Sequence, residues 1–340
     1  MGLLKLGYSI SVMSEKGGYY SEKLEELGAH LIDYKPKSKL DIQAISLIKQ
    51  TVRENKIDVV HAFNSKAISN ACFALWNVDV KIVGYRGYTG NIHWFDPTTY
   101  LTFLNPRLDY MICLADSVRT MFLKNGMSSK KAITINKGHH PDWYSNIEIA
   151  DLTEFSIPNG ALTCAFVANN RTRMKGLHDL VEATNLLPED ANICILLIGK
   201  GMDTDEIKRL IENSSKPNRF IFTGFRNDSN SIVKACDIAI SVSLFGEATQ
   251  KAMIEAMYLS KPVIITNIPG NIGMVENGEG GYVINPSSPK EIASSINSFI
   301  ANRENIPAMG KKAKEHIEQF LSNEKTIREY AQFYSSISEK

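Results

Sequence analysis

The sequence has 340 residues, 44% of them hydrophobic and 22% charged, which is the composition of an ordinary globular protein long enough for two domains. The net charge of +1 divides into +5 for residues 1–145 and −4 for the remainder; the basic part suits an anionic acceptor or lipid surface, although such an excess is also common on a solvated face. Five scattered cysteines, no signal peptide and no membrane-length apolar run lead us to expect a cytoplasmic protein whose membrane contact is peripheral.

Short apolar strands alternate with helical stretches along the whole chain. The strands predicted before residue 146 are 8–13, 30–33, 58–62, 80–85, 109–114 and 132–135. A polar linker is predicted from Asn146 to Pro158, and the strands after it are 162–167, 193–198, 219–223, 237–242, 262–266 and 282–284. One helix is predicted over 289–300, and further helices over 307–338. This alternation predicts an α/β fold of two tandem doubly wound, Rossmann-like parallel-sheet domains.

Candidate binding residues in the first part follow predicted strand ends. Arg86 precedes Gly87 and Gly90, His61 ends an earlier strand, and His139 lies in the segment 137–144. Arg86 suits a phosphate or an acidic acceptor sugar, and the glycines allow close approach of a ligand. The alternative is a structural salt bridge beside a tight turn. His139 and its neighbour suggest a metal, but two further ligands at suitable spacing are missing, so we expect no metal site.

A basic turn follows the strand 162–167. It contains Arg171, Arg173 and Lys175, and Gly176 then precedes a predicted helix. Arginine can fork two phosphate oxygens and lysine acts as a point charge, so the turn suits a leaving diphosphate. Both arginines are eligible for this role. The alternative is an exposed basic loop.

A pair of glutamates follows the strand 237–242. Glu247 lies in a predicted loop and Glu255 lies eight residues later on a predicted helix. If the intervening residues are helical, the carboxylates lie roughly 12 Å apart along the axis, about the reach of a nucleotide sugar from its sugar to its ribose. The helix start near Thr249 and Gln250 offers N–H groups that suit a pyrophosphate. An ordinary solvated helix face is the alternative.

Taken together, these segments resemble the retaining glycosyltransferases of family 4, which have the two-domain GT-B fold. The resemblance is carried by Glu247, seven residues, then Glu255-Ala256-Met257, the strand Pro262-Val263-Ile264, the glycine-containing loop that ends in Glu276, and Lys175-Gly176. It implies two domains facing a cleft: an acceptor-side domain, 1–150, joined by a terminal helix, 323–338, that crosses back to it, and a nucleotide-sugar domain, 151–322. Since the segment 4–12 resembles a later part of the family's first domain, that domain is expected to lack its first strand and loop.

The resemblance implies transfer of a sugar, with retention, from a nucleoside diphosphate sugar to a glycan or lipid-linked acceptor in the synthesis of lipopolysaccharide, capsule or another surface polysaccharide. Glu247, Lys175 and Arg171 are the expected catalytic residues. The expected donor-binding residues are Arg173, Glu255, Thr249, Gln250, Gly199, Phe225 and Arg226. The expected acceptor-side residues are Arg86, Gly87, Gly90, His61 and His139. No cofactor beyond the nucleotide sugar, no metal and no nucleic acid partner is expected, and any contact with the inner membrane is peripheral.

Two other functions fit the same pattern. The chain is then either a non-catalytic or degenerate nucleotide-sugar-binding protein, or an epimerase or phosphorylase with the GT-B fold. Phe225 is as well explained by a place in the core, and a lone glycine such as Gly199 is common in strand-to-helix turns.

Overall fold

The computed structural model describes residues 1–17, 19–90 and 92–338. The chain divides into two compact units: unit 1 comprises Met1–Gly138 and Asn323–Lys340, and unit 2 comprises His139–Ser322. The elements up to residue 138 are α1 (Gly2–Lys5), β1 (Ser11–Ser14), α2 (Tyr19–Glu26), β2 (His30–Asp33), α3 (Ile42–Glu54), β3 (Val59–Ala62), α4 (Ser65–Ala74), β4 (Lys81–Arg86), α5 (Pro97–Tyr100), β5 (Tyr110–Cys113), α6 (Asp116–Lys124) and β6 (Ala132–Thr134). The elements after it are α7 (Asp142–Ser145), β7 (Leu162–Val167), α8 (Leu177–Asn185), β8 (Ile193–Ile198), α9 (Asp205–Glu212), β9 (Phe220–Gly224), α10 (Ser229–Ala235), β10 (Ile238–Ser241), α11 (Lys251–Tyr258), β11 (Val263–Thr266), β12 (Gly281–Ile284), α12 (Pro289–Ala301), α13 (Ile306–Phe320) and α14 (Asn323–Ser338).

Unit 1 is built on a parallel sheet of order β3-β4-β5-β6, with β1 and β2 forming a separate parallel pair. The last helix, α14, belongs to this unit although it lies at the far end of the sequence. Its residue Ile337 is buried against Val83, Ile112 and Ile135, and Phe333 packs against the same cluster. The side chains of α14 therefore cover one face of the sheet and supply part of its core.

Unit 2 has a six-stranded parallel sheet of order β9-β8-β7-β10-β11-β12. All six residues of β8 are buried, as expected for a central strand covered by helices on both faces. Numbered within the unit, this order is 3-2-1-4-5-6, the order of the dinucleotide-binding fold, and it reverses direction between β7 and β10. The predicted fold class, two Rossmann-like α/β domains with parallel sheets, is confirmed.

Residues 139–150 lie in unit 2 and not in the first domain, 1–150, that the family resemblance implies. Tyr144 is part of the core of unit 2. Lys234 donates its Nζ to the Ile147 carbonyl at 2.6 Å, and the Ala150 N–H donates to the Ser231 carbonyl at 3.2 Å. These contacts attach residues 139–150 to α10. The first of the two stretches of chain that form unit 1 therefore ends at Gly138. In the described part of the chain, no helix has the length and apolarity needed to span a bilayer.

Candidate functional site

The candidate site lies where the strand order of unit 2 reverses. β7 and β10 are adjacent and parallel, so the loops that leave their carboxyl ends emerge side by side. Lys175, from the loop after β7, donates its Nζ to Glu247 Oε1 at 2.5 Å, and Glu247 comes from the loop after β10. The side chains are 20% and 13% exposed respectively, so this is a largely buried ion pair. The structure therefore brings together the cation and the carboxylate that were predicted to act at the reacting centre.

Glycines allow these loops to approach each other. Gly176 has φ of +73°, and a Cβ there would lie 2.0 Å from the Val242 carbonyl oxygen at the end of β10. A Cβ at Gly199, after β8, would lie 1.8 Å from the Ala168 carbonyl oxygen. No residue with a side chain fits either position without displacing backbone. Gly176 is also the N-cap of α8, whose first N–H groups face the same loop region.

The two predicted glutamates are not joined by one continuous helix. Residues 247–250 are irregular and α11 begins only at Lys251, so the 12 Å spacing estimated for a helix does not apply. Gln250 is the N-cap of α11 and its side chain makes no capping bond, which leaves the first N–H groups of the helix available. Glu255 is 17% exposed and pairs with Lys251 at 2.9 Å, one turn earlier.

The two candidate arginines differ in their contacts. Arg173 donates to Glu206 Oε1 on α9 at 2.6 Å and is 79% exposed, so its guanidinium is already paired. Arg171 is exposed and has no ion-pair partner among the residues that the structure describes. Its carbonyl accepts the Lys175 N–H at 3.0 Å, which places the two residues in one turn. Of the two arginines, Arg171 is thus the one without an ion-pair partner in the described part of the chain.

The other candidate donor residues lie along the carboxyl edge of β8 and β9. Phe225 follows β9 and is 66% exposed, so it is not the core aromatic that the sequence also allowed. Arg226 is held by Glu154 at 3.0 Å and by Asp228 at 2.8 Å. This double pairing fixes the loop around Phe225 and leaves the aromatic ring in solvent.

Several residues around Glu247 were not singled out from the sequence. Ser243 Oγ donates to Glu247 Oε1 at 3.3 Å, and Thr266 Oγ1 donates to the Ser243 carbonyl at 2.6 Å. A Cβ on Gly270 would lie 2.4 Å from the Glu247 carbonyl oxygen. The signal that could have found Ser243 and Thr266 is their place, since each is a polar residue at the carboxyl end of an apolar strand.

Gln250 has an unusual environment. Its side chain is 3% exposed, and neither Oε1 nor Nε2 has a hydrogen-bond partner among the described residues. A buried amide without partners costs free energy, so its place at the start of α11 is not explained by packing alone.

Arg86 of unit 1 is buried at 3% exposure and organises the loop that follows it. Its Nε donates to the Tyr88 carbonyl at 3.2 Å and its Nη2 to the Gly90 carbonyl at 2.6 Å. The guanidinium also lies 3.6 Å from the centroid of the Tyr88 ring. Gly90 has φ of +104°, which this turn requires. Arg86 thus has the structural role beside a tight turn that the sequence also allowed, but its partners are backbone carbonyls and not a carboxylate. Gly87 lies inside the loop that Arg86 holds.

His61 lies on β3 under the last helix. Its Nδ1 is 2.5 Å from the Tyr334 hydroxyl, and its ring stacks on Phe63 at a centroid distance of 4.3 Å. Burial lowers the pKa of His61 from 6.5 to about 4, so the ring is neutral at physiological pH.

His139 is placed in unit 2 and is buried, not on the acceptor-side unit as predicted. Its Nδ1 contacts the Tyr144 hydroxyl, and its ring stacks against Tyr144 and Tyr258. The Tyr258 hydroxyl donates to the His139 carbonyl at 3.0 Å. Burial raises the pKa of Tyr144, with a further contribution from Glu255. His139 therefore supports the packing behind α11 rather than a ligand surface.

Glu276, the carboxylate that ends the glycine-containing loop, faces α13. Its side chain is 69% exposed and faces His316 at 3.7 Å. Among the described residues, no group of three or more His, Cys, Asp or Glu side chains is arranged to hold a metal ion.

Comparison with known proteins assigns a family to most of unit 2. Residues 154–316 match the family of glycosyl transferases group 1. The chain is 24% identical to an uncharacterized glycosyltransferase of Methanocaldococcus jannaschii over 74% of this chain and 64% of that protein. It is 24% identical to a lipopolysaccharide core biosynthesis glycosyltransferase of Rhizobium meliloti over 48% of this chain and 46% of that protein. The chain thus spans about half to two thirds of the length of these relatives.

The fold is shared with solved structures over nearly the whole chain. A glycosyltransferase from Rickettsia africae superposes with a TM-score of 0.83 at 20% identity, covering 99% of this chain and 92% of that one. The Anabaena protein Alr3699/HepE superposes with a TM-score of 0.78 at 19% identity, covering 97% of this chain and 100% of that one. Crystal structures of that protein contain UDP or UDP-glucose. Residues 154–316 therefore match the glycosyl transferases of group 1, and the chain has the GT-B fold of solved glycosyltransferases.

Proposed function

We propose that this protein transfers a sugar from a nucleoside diphosphate sugar to a glycan or lipid-linked acceptor in the synthesis of a surface polysaccharide, with retention of the anomeric configuration and without a metal ion. The observation that carries the proposal is the buried Lys175–Glu247 pair at the point where the strand order of unit 2 reverses. Ligands of doubly wound sheets bind at this point, and the pair offers a cation for a phosphate beside a carboxylate for sugar hydroxyls. Relatives named for lipopolysaccharide synthesis and for UDP-sugar complexes support the substrate classes.

Each residue then has one task. Lys175 and Arg171 neutralise the departing diphosphate, aided by the N–H groups at the start of α11 near Thr249 and Gln250. Glu247 binds hydroxyls of the donor sugar, and Glu255 accepts hydrogen bonds from the ribose diol. The leaving phosphate itself takes the proton of the acceptor hydroxyl, so the protein contributes chiefly position and charge stabilisation.

The arginines provide a matched test of this arrangement. Arg171→Gln and Arg173→Gln remove the same charge two residues apart, but only Arg173 is paired with Glu206. We expect Arg171→Gln to weaken the binding of UDP or another nucleoside diphosphate about tenfold, and Arg173→Gln to change it less than about twofold. Isothermal titration calorimetry measures both. Equal losses in the two variants would remove Arg171 from the site.

Turnover distinguishes a transferase from its alternatives. A panel of nucleotide sugars is screened by thermal shift, because a ligand of the native state raises the melting temperature, and the stabilising donor is then incubated with glycan acceptors. We expect a product whose anomeric proton coupling in NMR matches that of the donor, with a rate unchanged by EDTA. Donor binding without transfer to any acceptor would favour a binding protein, and a product formed without acceptor would favour an epimerase.

A further inference from the structure

Unit 1 contains a cavity of about 570 Å³ that none of the proposed donor or acceptor residues lines. Its wall is formed by Trp94 and Tyr100 on one side and by Lys124, Asn125, Ser128 and Lys131 on another. This volume is within the roughly 300–1,000 Å³ typical of small-molecule sites.

The cavity lies at the amino edge of the parallel sheet. Its lining includes residues 104–106, 108 and 110, at the approach to β5, and residues 124–128 and 131, at the approach to β6. Arg86 and Gly87 lie at the opposite, carboxyl edge, because β4, β5 and β6 are parallel. A ligand in this cavity therefore occupies a site separate from the acceptor residues predicted from the sequence.

The aromatic wall is held in place although it is exposed. Trp94 is 63% exposed, yet its backbone N–H donates to Asn125 Oδ1 at 3.0 Å and its backbone carbonyl accepts the Tyr100 hydroxyl at 2.8 Å. Both partners also line the cavity. These bonds fix the backbone of Trp94, and its exposed indole adds a large apolar face to the wall of the cavity.

The charge of the lining is positive. It contains Lys124 and Lys131 and no Asp or Glu. Lys131 Nζ donates to the Leu108 carbonyl at 2.6 Å, while Lys124 is exposed and has no ion-pair partner within residues 1–17, 19–90 and 92–338. Asn125 and Ser128 each retain hydrogen-bonding capacity beyond the bonds they make.

We propose that this cavity binds a short saccharide that carries carboxylate or phosphate groups. A sugar ring presents apolar C–H faces and hydroxyl edges, which match an aromatic wall interrupted by amide and hydroxyl groups, and an acidic substituent matches the two lysines. A lipid chain would leave the polar lining unpaired. The binding site itself does not depend on the proposed transferase activity; its use to hold an acidic part of the acceptor does.

Binding of tri-galacturonate tests the proposal, with the neutral trisaccharide maltotriose, inorganic phosphate and phosphatidylglycerol vesicles as comparison probes. Calorimetry on the full chain should show tri-galacturonate binding that weakens with added salt and exceeds maltotriose binding. Trp94→Ala should weaken it about tenfold and Lys124→Gln at least threefold. The matched controls, Trp76→Ala and Lys49→Gln, change an exposed tryptophan and lysine of unit 1 that do not line the cavity and should leave binding unchanged.

The outcomes separate this site from the donor site. UDP binding should be the same in Trp94→Ala, in Lys124→Gln and in the unaltered protein, whatever the result for the saccharide. Absence of tri-galacturonate binding, or equal binding in the cavity and control variants, would overturn the proposal. The proposal would also be overturned if the protein binds vesicles but no saccharide, and if Trp94→Ala abolishes the vesicle binding. The cavity would then be a membrane-binding surface.

Discussion

Lys175 and Glu247 are the residues whose physical coupling matters most for the proposed chemistry. Because both are largely buried, removing one leaves the other charge poorly solvated, and removing both is less harmful than the sum of the single changes. We expect a coupling free energy of about 1–3 kcal/mol between Lys175→Met and Glu247→Gln. Urea unfolding of the single and double variants in the absence of nucleotide measures this cycle.

A second ion pair serves as the control for that cycle. Lys311 and Glu315 form an i,i+4 pair on α13 whose side chains are 78% and 56% exposed. An exposed pair of this kind contributes about 0.5 kcal/mol or less. If the coupling free energy of Lys175–Glu247 is no larger than that of Lys311–Glu315, the buried pair stabilises the protein without nucleotide no more than an exposed pair does.

His61 makes the stability of unit 1 depend on pH in a defined direction. Its pKa in the folded protein is about 4, below the 6.5 of the unfolded chain, so the unfolded state takes up the proton first as the pH falls. The free energy of unfolding should therefore decrease between pH 6.5 and 4, by up to about 3 kcal/mol, and this residue contributes no slope above pH 6.5.

Urea unfolding over a pH series measures this slope, and the variant His61→Gln should lose it. His30→Gln is the matched control, because His30 is an exposed histidine of the same unit. Parallel profiles for His61→Gln and the unaltered protein would show that another group causes the acid destabilisation.

At the scale of the elements, the loop between β7 and α8 depends on the missing side chain at Gly176. An alanine there has both a positive φ and a Cβ within 2.0 Å of the Val242 carbonyl oxygen. Gly160 has nearly the same φ, +69°, but its closest neighbour to a Cβ is 3.8 Å away. Alanine at Gly160 therefore adds only the strain of a positive φ, whereas alanine at Gly176 adds that strain and a steric overlap.

We expect Gly160→Ala to lower the free energy of unfolding by about 1–2 kcal/mol, the cost of a left-handed backbone with a side chain. Gly176→Ala should lose more than about 3 kcal/mol, because the backbone of β10 must also move. Gly176→Ala should also reduce nucleotide affinity, since Lys175 is the preceding residue. Urea unfolding measures both variants. If both lose the same free energy of unfolding, the backbone near Val242 accommodates a Cβ at position 176 without cost.

The sequence predicted those elements best whose residues are buried on both faces. The bounds of β7 and β8 agree with the predicted strands 162–167 and 193–198, because a continuous apolar run between turns has few alternative structures. The prediction was less accurate for β1, which begins at Ser11 instead of residue 8 and has no fully buried residue. The spacing estimated for Glu247 and Glu255 required a continuous helix between them. The chain is instead irregular up to Gln250, so that estimate does not hold.

Contacts between distant residues were the part that the sequence left open. The choice between Arg171 and Arg173 depends on Glu206, which is 33 residues away from Arg173 along the chain. The buried place of Arg86 depends on two carbonyl groups in the following loop, and carbonyls carry no sequence signature. Residue types and spacing predicted which side chains belong to the candidate site, but tertiary pairing determines which of them keep a free charge.

At the scale of the whole molecule, the chain leaves unit 1 at Gly138 and returns to it at Asn323. The stability of the first residues of the protein should therefore depend on the last ones. Phe333 of α14 packs edge-to-face on Tyr110 of β5 at 5.3 Å and contacts the cluster around Val83 and Ile112. We expect Phe333→Ala to cost about 3 kcal/mol and to speed amide hydrogen exchange in β4 and β5.

The same substitution should leave exchange in β7 and β8 unchanged, because those strands belong to the core of unit 2. Phe299→Ala, which truncates a buried phenylalanine of α12 in that core, is the matched control and should show the reverse pattern. Hydrogen exchange followed by mass spectrometry resolves the two sets of strands. Faster exchange in β7 and β8 of the Phe333→Ala protein would mean that the chain opens as one cooperative body, and the division at Gly138 and Asn323 would then describe packing but not stability.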